Sequence, residues 1–146
     1  MIFKGKFEHT VDAKGRLFVP VKFREGLGDT FVVCQAFFQN CLWAFSEDEF
    51  NAIAEKMDFS LLDEEAQGVE RVFYASASDV EVDKSGRILL PQTLREYAGI
   101  GKEAVVTGSR NRIEIWDRDA YYRQSEEDTA AFRTSLQKLR EQGVRL

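Results

Sequence analysis

Histidine occurs once in these 146 residues, and proline and cysteine twice each. With His9 as the single imidazole, any Ser-His-Asp or Cys-His site would have to be built around it. His9 stands in a strand-like stretch beside Thr10, the setting of a surface or structural residue. Cys34 and Cys41 flank an expected turn and read as buried thiols. Together with one histidine they are too few for a zinc centre, and a disulfide is foreign to a reducing compartment. Two prolines and no Ser/Gly/Pro tract exclude long disorder away from the ends. No apolar run approaches the roughly 20 residues of a membrane helix. Met1-Ile2-Phe3-Lys4 lacks the apolar core of a signal peptide, so a cytoplasmic protein is expected. There is no G-x-x-x-x-G-K-[ST] loop and no G-x-G-x-x-G. The expectation is a protein that is not an enzyme, with no cofactor, no metal, no membrane contact and no small-molecule substrate.

What is present suits a core. Hydrophobic residues make up 44%, with 12 phenylalanines, enough for one compact domain or two small units sharing a core. The net charge of −5 counts against nucleic-acid binding by bulk electrostatics. The average hides a gradient. Lys4, Lys6, Lys14, Arg16, Lys22 and Arg24 crowd the first segment, whereas acids gather at 47–49, 58–70 and 126–128. A basic face on an acidic body is compatible with phosphate binding by that face.

One short unit occurs twice. Val11-Asp12-Ala13-Lys14-Gly15-Arg16-Leu17-Phe18-Val19-Pro20 returns 71 residues on as Val82-Asp83-Lys84-Ser85-Gly86-Arg87-Ile88-Leu89-Leu90-Pro91. Arg24-Glu25 returns as Arg95-Glu96, Asn40 as Asn111, Phe45 as Trp116 and Phe50 as Tyr121, all at the same offset. The sequence therefore predicts a gapless duplication and a pseudo-symmetric object with two equivalent working surfaces.

Each copy reads alike: a turn at D-x-x-G-R, a strand stopped by proline, a short helix closed by glycine, a hairpin and a capped helix. In the first copy these are the strand 17–19, helix 21–27, hairpin strands 31–36 and 41–45, and a helix from the Ser46 cap to about Met57. In the second they are strands 79–82 and 87–90, helix 92–98, hairpin strands 104–107 and 112–116, and a helix from the Asp117 cap to about Arg123. Between the copies a helix start is read at 59–65, with Ala66, Val69, Val72 and Phe73 as an apolar stripe. The tail from Glu126 reads as a separate amphipathic helix that frays at its end. Trp43, Trp116, Phe45 and the hairpin phenylalanines read as core.

Taken singly, each D-x-x-G-R turn is accounted for as a turn: Asp12 and Asp83 bond the local backbone, Gly15 and Gly86 take positive φ, and Arg16 and Arg87 pair with the Asp. Taken together they point further. Lys14 and Arg16 surround one glycine, Lys84 and Arg87 belong to the other, and duplication presents both on related sides. Arginine also suits a bidentate grip on phosphate or on the guanine O6/N7 edge. Arg24 and Arg95 repeat too; a ligand contact is open to them, but their glutamate neighbours suit an ion pair or a helix-end contact as well.

These residues resemble the MraZ family of bacterial transcriptional regulators. The resemblance is carried by His9 to Arg16 with Pro20, Lys22-Phe23-Arg24, Arg71-Val72-Phe73-Tyr74, Glu81 to Pro91, Leu94 to Gly99 and Asn111 to Trp116, and spans residues 1 to 125. Ala75-Ser76 and Ser85 depart from the family pattern. The resemblance implies an α+β, mainly β fold: two tandem SpoVT-AbrB-type swapped-hairpin or β-barrel repeats forming one pseudo-symmetric unit with flanking helices. The repeats would span 5–47 and 76–119, with a helical connection at 48–75 and a C-terminal helix and tail at 120–146. It also implies a ring homo-oligomer that binds repeated boxes in double-stranded promoter DNA through Lys14, Arg16, Lys84 and Arg87. Such a protein would be nucleoid-associated and would repress the division and cell wall gene cluster, including its own gene. An alternative is an antitoxin-like interaction module on the same fold, with its partner on the stripe of the tail or of the central helix.

Overall fold

The computed structural model describes residues 2–57 and 60–146. Phe59, the first residue of the helix start read at 59–65, lies outside them. The first repeat supplies β1 (Lys6–Thr10), β2 (Arg16–Phe18), α1 (Val21–Leu27), β3 (Thr30–Gln35), β4 (Leu42–Ser46) and α2 (Glu47–Lys56). After α3 (Glu64–Ser76), the order returns as β5 (Ser78–Glu81), β6 (Arg87–Leu89), α4 (Gln92–Ala98), β7 (Glu103–Gly108), β8 (Ile113–Asp117) and α5 (Arg118–Glu141).

Local chemistry sets the boundaries. Pro20 and Pro91 end the extended segments because they cannot donate to a ladder, and α1 and α4 begin directly after them. The Ser46 hydroxyl accepts from the Glu49 N–H at 3.2 Å, and Glu47, Asp48 and Glu49 then sit where the helix dipole favours anions. Asp63 and Asp117 cap α3 and α5 in the same way.

The repeats exchange their first strands. One six-stranded antiparallel sheet runs β1-β7-β8-β4-β3-β5, and a two-stranded ladder pairs β2 with β6. The outer strand of each repeat therefore lies on the hairpin of the other, while β4 and β8 meet at the centre. Loop bonds interlock them further: Val19 N–H donates to Gly86 O and Leu90 N–H to Gly15 O, each at 2.9 Å. The core is equally shared, with Leu17, Val19, Phe23 and Leu27 of one repeat packed with Ile88, Leu90, Leu94 and Ala98 of the other. Neither half closes a core alone.

The gapless match does not survive. Thr30 faces Glu81 where Glu103 faces Thr10, so β3 and β7 are 73 residues apart (103 − 30). Two residues added before β7 are removed again in the β7–β8 turn, which restores the offset of 71 at β4 and β8. The two shifts cancel, which is why the flanking motifs keep register.

Further expectations change. The tail is not a separate helix: α5 runs unbroken for 24 residues, because good helix formers continue past Arg123 without Gly or Pro. Strands build the centre, but this arm gives the helices more of the chain. Phe38 is 92% exposed, so not every hairpin phenylalanine is core. Phe45 is buried with Cys34 and Phe73, Trp116 is buried with Cys41, and Trp43 is half-buried between these clusters. Among the described residues, no helix is long and apolar enough to cross a membrane.

Candidate nucleic-acid interface

The β2–β6 ladder places the two turns beside each other. Leu17 faces Ile88 across it, and both are buried. Alternation along a strand therefore sends Arg16, Phe18, Arg87 and Leu89 to the opposite, outer face. The structure thus unites the two basic turns on one ridge, in place of the two separate surfaces that duplication suggested.

In the first turn, Asp12 Oδ1 accepts from the N–H of Lys14 at 3.0 Å and of Arg16 at 2.9 Å. Gly15, at φ +88°, donates to Asp12 O. In the second, Asp83 Oδ1 accepts from the N–H of Ser85 at 2.8 Å and of Arg87 at 2.9 Å, and Gly86 takes φ +80°. The Arg16 backbone N–H is the main cause holding the Asp12 carboxyl below the usual carboxylate range, and the Arg87 N–H does the same for Asp83. Both aspartates are therefore firmly anionic acceptors that order the turn.

Arg16 Nε donates to Asp12 Oδ2 at 2.6 Å. Arg87 Nη1 lies 3.6 Å from that same oxygen, and its Nε lies 3.4 Å from Asp83 Oδ2. One carboxylate oxygen therefore holds both guanidinium groups together. The Arg87 Nε is buried with no hydrogen-bond partner of good geometry among the described residues. Lys14 and Lys84 are exposed, and neither has a carboxylate within ion-pair distance among the described residues. Four cations thus stand on a ridge opposed by two carboxylates.

Arg24 and Arg95 do not pair with their glutamate neighbours. Their Nε groups donate to Val19 O at 2.9 Å and Leu90 O at 3.0 Å, the carbonyls just before each proline. From there each guanidinium reaches under the other repeat's turn. A Cβ at Gly15 would lie 2.6 Å from Arg95 Nε, and one at Gly86 would lie 3.1 Å from Arg24 Cζ. The two glycines serve close approach as well as positive φ. The repeated spacing singles out both arginines, but only the strand exchange shows whose turn each supports. Phe18 and Leu89 were missed on this face, although strand alternation from buried Leu17 and Ile88 was the available signal.

The cysteines take no part. Both are free and buried; desolvation pushes the Cys34 thiol up to about 12 and raises that of Cys41 as well. Among the described residues, no group of three His, Cys, Asp or Glu side chains converges as a metal site would require.

Fold and ridge define a class: a tandem, strand-exchanged α+β protein whose repeats form one pseudo-symmetric unit with a shared basic face. A family model described as "MraZ protein, putative antitoxin-like" matches residues 2–72 and again 73–142, dividing the chain within α3. A protein of Acetivibrio thermocellus named "Transcriptional regulator MraZ" is 39% identical over 144 residues, covering 98% of this chain and 100% of that one. Proteins of the same name from Desulforamulus reducens and Ligilactobacillus salivarius are 42% and 44% identical, over 90% and 82% of this chain and 92% and 84% of theirs. The chain belongs to the MraZ family.

Proposed function

We propose that this protein is a DNA-binding transcriptional regulator whose interface is the β2–β6 ridge. The observation that carries the reading is the single Asp12 oxygen shared by Arg16 and Arg87. It fixes one arginine fork and draws the second beside it, an arrangement suited to guanine edges or adjacent phosphates. Lys14 and Lys84, free of ion pairs, add phosphate contacts and a salt-dependent on-rate. Asp12, Gly15, Asp83 and Gly86 hold the turns in shape, and segments 5–47 and 76–119 are the two DNA-binding repeats, joined by 48–75 and followed by 120–146.

The name carried by the relatives supports regulation, and the family resemblance supports the finer role: a nucleoid-associated repressor of the division and cell wall gene cluster, its own gene included. One ridge is a small grip for a protein of net charge −5. A ring homo-oligomer would set several ridges along repeated promoter boxes, and linked sites raise avidity by roughly 10²–10⁴. The test is a salt-titrated gel shift on DNA upstream of the gene. Arg16→Ala with Arg87→Ala abolishes the shift while assembly size stays unchanged. Undiminished binding by that double variant overturns the assignment of the ridge.

A further inference from the structure

Among the described residues, two helix faces leave apolar side chains uncovered, and they are matched in spacing and opposite in charge. The first lies on α3. Glu65, Val69 and Val72 follow one another at i, i+4 and i+7, one face of a helix. With Phe73, Phe37 and Tyr97 they line an open cleft of about 470 Å³. Val72 remains 59% exposed there. The Tyr97 hydroxyl is already used, donating toward Ala36 O and Gln39 O. The cleft thus offers apolar contact and one carboxylate, not the converging polar groups that fix a small ligand.

The second surface is the outer half of α5. The start of this helix packs on the sheet through Ala120 and Tyr121, against Trp116. Beyond Asp128, Leu136 is the one half-buried residue and the rest are exposed. Phe132, Leu136 and Leu139 repeat the same i, i+4, i+7 spacing, and Phe132 is 62% exposed. At about 1.5 Å per residue the helix is a rigid rod of about 36 Å that cannot turn back to cover its own stripe. Helical segments of this kind take most of their stability from packing an apolar face, so the arm calls for a partner.

Charge selects that partner. Residues 129–146 carry Arg133, Lys138, Arg140 and Arg145 against Glu141. Residues 60–77 carry Asp63, Glu64, Glu65 and Glu70 against Arg71. Two arms laid antiparallel along this stripe would set Arg133 of one beside Lys138 and Arg140 of the other, whereas arm on α3 sets basic against acidic. Arg133 and Arg140 sit one position round the helix from Phe132 and Leu139, so they flank the stripe.

We propose that the α5 arm of one copy seats in the α3 cleft of a second copy, Phe132, Leu136 and Leu139 against Val69 and Val72, with the arm's basic flank toward Glu65. This mode is a helix laid in a groove, read by its i, i+4, i+7 anchors. Seat and occupant are different surfaces, so the contact is heterologous and propagates head to tail until it closes. The inference rests on the reading that the protein works as an assembly, and it names the surfaces that make one.

The test uses the full chain carrying Val72→Cys, co-expressed with a differently tagged chain carrying Leu136→Cys. Cys34 and Cys41 are buried and do not compete. Under mild oxidation a covalent dimer containing both tags forms in the mixture, and neither variant cross-links alone. Separately, Glu65→Arg lowers the assembled fraction, and adding Arg133→Glu with Arg140→Glu restores it. Cross-linking by Leu136→Cys alone would mean arm on arm and overturns the proposal. So does a native-sized assembly without the mixed cross-link, which leaves the assembly reading standing. Sedimentation of the unaltered protein at the chain mass of 16.7 kDa overturns both.

Discussion

The two turns share a motif and a fold but not a grip. In the first, Arg16 is tied to its own Asp12 at 2.6 Å through a well-formed hydrogen bond. In the second, Arg87 stands 3.4 Å from Asp83 with its Nε unbonded, and it leans toward Asp12 of the other repeat. The supports differ as well: Arg24 stacks on the Phe18 ring at 5.4 Å, whereas the equivalent of Phe18 in the second repeat is Leu89, which has no ring. Pseudo-symmetry has therefore kept the backbone of the site and let the side chains diverge. The first turn presents a preset arginine, and the second presents one with bonds still to make.

Single alanine variants should break this comparison most sharply. Loss of an arginine that forks to a base or phosphate costs about 1–3 kcal/mol of binding, roughly 5- to 150-fold in affinity. Arg16→Ala and Arg87→Ala should both fall in that range in a promoter titration. Arg16→Ala should lose more, because its removal also frees Asp12 to bind Arg87 more closely and withdraw it from DNA. Equal losses would mean that the difference between the turns has no consequence for binding.

The glycines come next. Gly15→Ala and Gly86→Ala force a side chain into left-handed backbone, at about 1–2 kcal/mol each, read as a shift in urea midpoint. Gly15→Ala should be the worse, because its Cβ would meet Arg95 Nε at 2.6 Å, whereas a Cβ at Gly86 comes no nearer than the 2.9 Å to Phe18. Equal shifts would assign the whole cost to φ. Smaller again is the contrast between the aspartates. Asp12 touches both arginines and Asp83 one, so Asp12→Ala should weaken DNA binding more than Asp83→Ala in the same titration.

Much of the architecture was legible because its causes are local. A proline that ends a strand, a serine or aspartate that caps a helix and a glycine at positive φ act within a few residues, and both copies state them. The strand exchange was not legible from residue patterns, since β1 could pair with either hairpin; only the family resemblance pointed to it. Nor were the cancelling shifts around β7, because alternating apolar residues match at any even offset, and a shift of two preserves the pattern. The meeting of Arg16 and Arg87 follows from the β2–β6 pairing, a contact between residues 71 apart in the chain (87 − 16). The length of α5 is a related case: its first turns pack on the sheet, and the outward half reads as a separate unit because its apolar stripe stays exposed.

The smallest expected effect concerns acid. Asp12 and Asp83 are both held below the usual carboxylate range, so the native state prefers them ionised. A group whose folded value lies below its unfolded value, here about 3.9, contributes stability above that pH and loses it as the pH falls through the folded value. Replacement by Asn keeps the shape and removes the charge. The difference in urea midpoint between the unaltered protein and Asp12→Asn should therefore be constant from about pH 5.5 to 8, shrink below about pH 4 and vanish in stronger acid. The same series for Asp83→Asn should show a smaller plateau, since its contact with Arg87 is longer and Asp12 shares that arginine. A plateau of equal height in the two series would mean that the backbone N–H bonds, which the turns have in common, set the value of each aspartate, and that the asymmetry between the arginines lies outside the folding equilibrium.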